Sequence, residues 1–226
     1  SETRTIESVA FIIGYFILSV ILSILNGYAL SVWLGINVGL AVIPFILIQL
    51  LYTRLRKREF VFDWISIILF MVFIFFLPNT FYLITDVMHI NSDDYYHLIE
   101  FGNADYRDYI EPYFLMVHVV VSVIVGVYFG VKSLYITEQI IAKKIEDYYT
   151  RNVLLIAIIL LSSIGIYIGR FLRFFSWEVL NPVKVIPEVL GSVDLFMFTF
   201  VITFTVTQYL LYFAYKLAFE KEPFIR

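Results

Sequence analysis

Six apolar runs, at 6–25, 30–52, 64–84, 113–136, 153–174 and 194–217, leave this chain few ways to fold. A helix needs about 20 such residues to cross a hydrocarbon core of roughly 30 Å, because lipid offers no hydrogen-bond partner to exposed backbone. Period-two alternation is absent, which removes a β-barrel. Composition agrees: 61% of residues are apolar and 15% charged, against about 45–50% and 25% in soluble domains. Mean hydropathy is +0.88. The expected architecture is an all-α, polytopic integral membrane protein, one domain over 1–226 built as a bundle of six transmembrane helices. No small-residue cleavage site follows the first run, so it reads as a retained helix and not a signal peptide, with Ser1 following a removed Met or tag.

Several function classes drop out. A net charge of −3 leaves no basic surface for nucleic acid. With no cysteine, disulfides, thiolate metal sites and cysteine nucleophiles are excluded. Glycine-rich phosphate loops and dinucleotide fingerprints are missing, and no solenoid-period repeat is visible.

Lys and Arg set the orientation. With both termini cytoplasmic, the inner side holds Arg4, Arg54, Arg56, Lys57, Arg58, Lys132, Lys143, Lys144, Arg151, Lys216, Lys221 and Arg226, twelve of the 16 basic residues. Arg107, Arg170, Arg173 and Lys184 remain outside. The outer loop 86–112 carries Asp86, Asp93, Asp94, Glu100, Asp105, Asp108 and Glu111 against Arg107 alone. Its Tyr95, Tyr96, Phe101, Tyr106 and Tyr109 suit either a short amphipathic or re-entrant segment at the interface, or a plain solvated loop. The inner stretch 137–152 reads as helical.

Small residues spaced by four mark close helix contacts in lipid. Three stripes qualify: Ser122, Gly126 and Gly130; Gly165 and Gly169; and Thr199, Thr203 and Thr207. All three are expected to pack against neighbouring helices, the alternative being a small-residue face that lines a cavity.

Ionisable and amide groups at membrane depth are the functional candidates. Asn79, Tyr82, Asp86 and His89 share a face if the third helix continues past its core, and Pro78 should kink that helix. Asn79 either serves the site or satisfies backbone freed by the proline. Asp86 and His89 are three residues apart, a spacing that lets a carboxylate orient an imidazole, hold a metal, or simply fix the loop exit. His118 heads the fourth-helix stripe and should face other helices. Asp86, His89 and His118 suffice as three ligands for a divalent metal such as zinc, with an open position for water. Arg170, Arg173 and Trp177 share a face near the outer headgroups, where two guanidinium groups can clamp a phosphate or pair with Asp86, Glu178 or Asp194. Asp194 after Gly191-Ser192 reads as the cap of the sixth helix. Together Asn79, Asp86, His89, His118, Arg170, Arg173 and Glu178 fall at the outer-leaflet level as one polar site.

The segment Leu77-Pro78-Asn79-Thr80-Phe81-Tyr82 with Thr85-Asp86 and His89, and Gly169-Arg170-Phe171-Leu172-Arg173 with Ser176-Trp177, resembles a family of bacterial multi-pass proteins, domain-of-unknown-function family 1361, over roughly 64–200. That resemblance implies a bacterial cytoplasmic-membrane protein and carries over no activity. Its motifs coincide with the polar cluster.

Three functions follow from the residues. In the first, an enzyme acts at the outer leaflet on a lipid or lipid-linked substrate. His118 or His89 is its general base, Asp86 the orienter or metal ligand, and Arg170 and Arg173 the clamp, with Asn79, Trp177 and Glu178 beside them. In the second, a non-catalytic module docks a protein partner through loop 86–112. In the third, the chain transports a small solute, against which stands the apolar middle of most spans. The metalloenzyme form requires near-stoichiometric zinc on purified protein, lost in both His118→Ala and His89→Ala, as read by elemental mass spectrometry.

Overall fold

The computed structural model describes residues 2–26, 30–91, 94–98, 104–106, 108–174, 178 and 181–219. In chain order the elements are α1 (Glu2–Asn26), α2 (Leu30–Lys57), α3 (Trp64–Phe76), α4 (Pro78–Tyr82), a 3-10 helix (Leu83–His89), β1 (Tyr96–Leu98), β2 (Ala104–Tyr106), α5 (Glu111–Ala142), α6 (Tyr148–Phe171), α7 (Pro182–Gly191) and α8 (Leu195–Phe219). Five helical segments among the described residues are long and apolar enough to cross a membrane: Ser31–Lys57, Trp64–His89, Glu111–Ala142, Tyr148–Phe171 and Leu195–Phe219. The first expected span falls in α1, whose qualifying apolar stretch is the shorter Ile13–Leu25. The architecture is that of a multi-pass membrane protein.

Carboxylates cap three of the spans. Asp63 caps α3, accepting from the Ser66 amide at 3.0 Å and the Ser66 hydroxyl at 2.7 Å. It also pairs with Arg54 and, at 2.9 Å, with Arg58. The Arg54 hydrogen bond, then those from Ser66, hold its carboxyl well below the usual carboxylate range. Asp147 caps α6 through the Thr150 amide at 2.7 Å, and Asp194 caps α8 through the Met197 amide at 2.7 Å, as its position after Gly191-Ser192 predicts. The stretch 137–152 is helical on both flanks but broken between Ala142 and Tyr148.

Pro78 does more than kink the third span. Its missing N–H ends α3 at Phe76, and α4 restarts with the proline in its first turn before winding into the 3-10 helix. This broken segment is clamped between the two glycine stripes. A side chain on Gly126 would lie 2.5 Å from the Thr80 carbonyl, and one on Gly130 2.6 Å from the Phe81 ring. On the other side Gly165 receives Pro78, with only 2.4 Å for an added Cβ, and Gly169 receives the Tyr82 ring. The main core surrounds this clamp, with Leu51, Phe73, Leu77, Phe81, Leu134, Leu155 and Ile159 fully buried.

The third stripe corrects its expectation. Thr199 and Thr203 are exposed, and Thr199, Thr203 and Thr207 return their hydroxyls to Leu195, Thr199 and Thr203 carbonyls of the same helix. The packed face of α8 is instead Val201, Gln208 and Tyr212, with the Gln208 amide donating to Ser163 at 2.8 Å. Four-residue spacing therefore found a threonine row, but the row lies on the outer surface.

In loop 86–112 the structure places neither an amphipathic nor a re-entrant helix among the described residues. The 3-10 helix ends at His89, and β1 and β2 then form an antiparallel ribbon pairing Tyr96 with Tyr106. Tyr95 ties the ribbon down, donating to the Pro112 carbonyl at 2.9 Å and meeting the Tyr113 ring edge-on. Asp93, Glu100, Phe101 and Arg107 lie outside the described residues.

If the clamp sets the fold, Gly126→Ala should destabilise by roughly 1–3 kcal/mol, because the obstructing atom is backbone. Gly14→Ala, with nothing within 4 Å, should cost nothing. Thermal unfolding of the two variants in one detergent checks this.

Candidate functional site

The site lies along the 3-10 segment. With three residues per turn, Thr85 stacks on Tyr82 and His89 on Asp86 in two adjacent rows, and both rows reach Arg170 in the last turn of α6. There Arg170 reaches across. Its Nη2 donates to Asp86 Oδ1 and to Thr85 Oγ1, and its Nε donates to Thr85 Oγ1 at 2.7 Å. Its Nη1 meets His89 Nε2 at 3.3 Å. The guanidinium lies 4.5 Å from the centre of the Tyr82 ring, a stacking distance for a cation on an aromatic face. Gly169 makes that approach possible, since the Tyr82 ring occupies the space beside it.

Burial makes the pairing obligatory. The Asp86 side chain is 3% exposed and that of Arg170 11%. A lone carboxylate in such a place would cost several kcal/mol. Its second oxygen is also served, because Asn37 Nδ2 on α2 approaches Asp86 Oδ2 at 3.3 Å. Thr85 spends its own proton on the Tyr82 carbonyl at 2.6 Å, so its lone pairs are left for Arg170.

His89 is the group that opens outward, with its side chain 41% exposed. Arginine has no acceptor, so Nε2 of His89 takes the hydrogen bond and the proton of the neutral ring sits on Nδ1. Asp86 Oδ1 is 4.0 Å from the same Nε2. Of the five N–H groups of Arg170, one on Nη1 is left over after these contacts. The arrangement presents an anionic oxygen with one guanidinium donor and one imidazole, on a base of satisfied buried groups.

Other expected members lie elsewhere. His118 is buried, as its stripe predicts, but faces α1: its Nε2 is 3.0 Å from Ser19 Oγ, and its ring is 5.5 Å from that of Tyr15. Tyr15 and Ser122 share a 2.6 Å hydrogen bond beside it. The three-ligand set Asp86, His89 and His118 is thus not assembled, and no group of three His, Asp or Glu able to hold a metal is present among the described residues. The helical rotation of α5 turns His118 toward Ser19 and Tyr15 of α1. Asn79 donates to the Phe76 carbonyl at 3.1 Å and serves the backbone at the proline break.

Arg173 does not share a helical face with Arg170. α6 ends at Phe171, and Arg173 adopts a left-handed backbone with φ of 56°. Trp177 lies outside the described residues. Glu178 accepts from Lys184 at 3.0 Å. Two members escaped the sequence reading: Thr85, a neutral hydroxyl beside the ionisable groups that drew attention, and Asn37, whose signal was a lone carboxamide within an apolar span.

Removing Arg170 strands Asp86. Arg170→Ala should cost roughly 3–5 kcal/mol, whereas the double replacement Asp86→Leu with Arg170→Met should recover most of it. Unfolding midpoints of the two variants in detergent decide the point.

A family model described as "Protein of unknown function (DUF1361)" matches residues 36–211. No curated protein and no solved structure matches.

Proposed function

The chain belongs to the DUF1361 family, and from that premise we propose that it is an enzyme working at the outer-leaflet level on a phosphate-bearing lipid or lipid-linked substrate. In this reading α1 is a sixth span, both termini are cytoplasmic by the distribution of Lys and Arg, and the membrane is the bacterial cytoplasmic one. The observation that carries the proposal is the 3.3 Å contact between Arg170 Nη1 and the exposed His89 Nε2, at the open edge of an otherwise buried pair.

The chemistry follows from donors and acceptors. An anionic substrate oxygen takes the free N–H of Arg170 Nη1 and, as the stronger charged acceptor, also draws away the N–H that His89 accepts. His89 is then released with its Nε2 lone pair free, beside the bound group. It takes the proton from an attacking water or substrate hydroxyl and returns it to the leaving oxygen. Asp86, Thr85 and Tyr82 are positioning residues: they fix the guanidinium so that a substrate meets it already oriented. Asn37 restrains the second Asp86 oxygen.

The test uses proteoliposomes of phosphatidylethanolamine, phosphatidylglycerol and a polyprenyl phosphate, followed by lipid mass spectrometry. Wild type should convert one of these, and His89→Ala should slow the conversion by roughly 10²–10⁴-fold, the usual loss for a general base. No converted lipid, or His89→Ala working at the wild-type rate, overturns the assignment.

A further inference from the structure

Between α6 and α8 the chain inserts α7, ten residues from Pro182 to Gly191. At 1.5 Å per residue it is about 15 Å long, half of what a span needs. It stands between Phe171, where α6 ends, and Leu195, where α8 begins. Those two residues are the ends of the adjacent apolar spans.

The surface of α7 divides into three sectors. At about 100° per residue, Val183, Ile186 and Leu190 fall within roughly 60° of one another. All three are exposed, at 84%, 54% and 68%. A second sector carries Lys184 and Glu188, within about 40° of each other. The third holds Val185, which is 6% exposed and seats the helix on the protein. Lys184 strengthens that seat through Glu178 at 3.0 Å and by lying 5.1 Å from the centre of the Phe174 ring.

Three large aliphatic side chains in one row, left uncovered at the end of a membrane bundle, need an apolar neighbour. Continuity identifies it. Exposed apolar side chains continue along the chain through Val193 and Leu195, 65% and 77% exposed, to Phe198 of α8. α8 is long and apolar enough to span a membrane, so its exposed apolar surface is the one that would meet lipid. We propose that α7 is an interfacial helix, lying in the membrane plane with Val183, Ile186 and Leu190 sunk at the boundary of headgroups and acyl chains. Lys184 and Glu188 face the headgroups and water. One Lys and one Glu cancel, so the helix is held by apolar burial and not by anionic lipid.

The chain has no cysteine, so single cysteines can be introduced into the full-length protein and labelled with bimane. Exposed positions tolerate this substitution, and Val183→Cys, Ile186→Cys and Leu190→Cys are compared with Lys184→Cys and Glu188→Cys in the same helix. In phosphatidylcholine vesicles with brominated acyl chains, the first three should be quenched roughly twofold or more, as a face buried about 5–10 Å requires. Labels at 184 and 188 should instead be quenched by aqueous iodide. Replacing half of the phosphatidylcholine by phosphatidylglycerol should leave the pattern unchanged. Iodide quenching at all five positions would put α7 in water. Protection of the row from both quenchers would mean that protein covers it, a partner or a second copy. A quenching pattern that appears only with phosphatidylglycerol would mean electrostatic attachment. Each of these overturns the proposal.

Discussion

Asp86 and Arg170 sit where neither is tolerable alone. Their side chains are nearly enclosed, and at that depth a charge needs both an opposite charge and hydrogen bonds for its remaining lone pairs and protons. The surrounding structure is arranged to supply them. Asn37 comes from α2, Thr85 and Tyr82 from the broken third span, and Arg170 from the end of α6. Three spans are thereby held in one register at one end of the bundle. An apolar contact of the same area would allow sliding, whereas this one fixes which residue meets which.

The glycine stripes make that register reachable. α4 and the 3-10 helix can lie between α5 and α6 because Gly126, Gly130, Gly165 and Gly169 leave room for Thr80, Phe81, Pro78 and Tyr82. Close approach places the Tyr82 ring under the guanidinium. Packing and electrostatics are thus one feature: the small residues bring the backbone near, and the polar groups then fix its rotation. Polar ties recur at other levels. Gln208 with Ser163 joins α8 to α6, and Glu138 with Lys216 at 2.8 Å joins α5 to α8. His118 with Ser19 joins α5 to α1.

The part of the site legible in the residues was the part set by cost. Asp86, His89 and Arg170 stood out because ionisable groups within long apolar runs are expensive, and a carboxylate with an arginine at one level is an obvious pair. His118 stood out for the same reason, yet its direction depends on the rotation of α5. Arg173 and Trp177 were tied to Arg170 by a helical spacing that ends at Phe171. Thr85 was passed over because a neutral hydroxyl carries no desolvation cost that marks it in the sequence; its partner Arg170 is 85 residues away.

The sequence by itself determined that the chain is helical and membrane-embedded, because long apolar runs without water must satisfy their backbone internally. It also determined where the last span begins, through Asp194, since capping is a contact between near neighbours in the chain. Only the tertiary structure decided which polar groups meet. That Arg170 takes Asp86 while His118 takes Ser19 follows from how whole helices rotate and cross. Rotation is fixed by the sum of many contacts distant in sequence, and no single spacing encodes it.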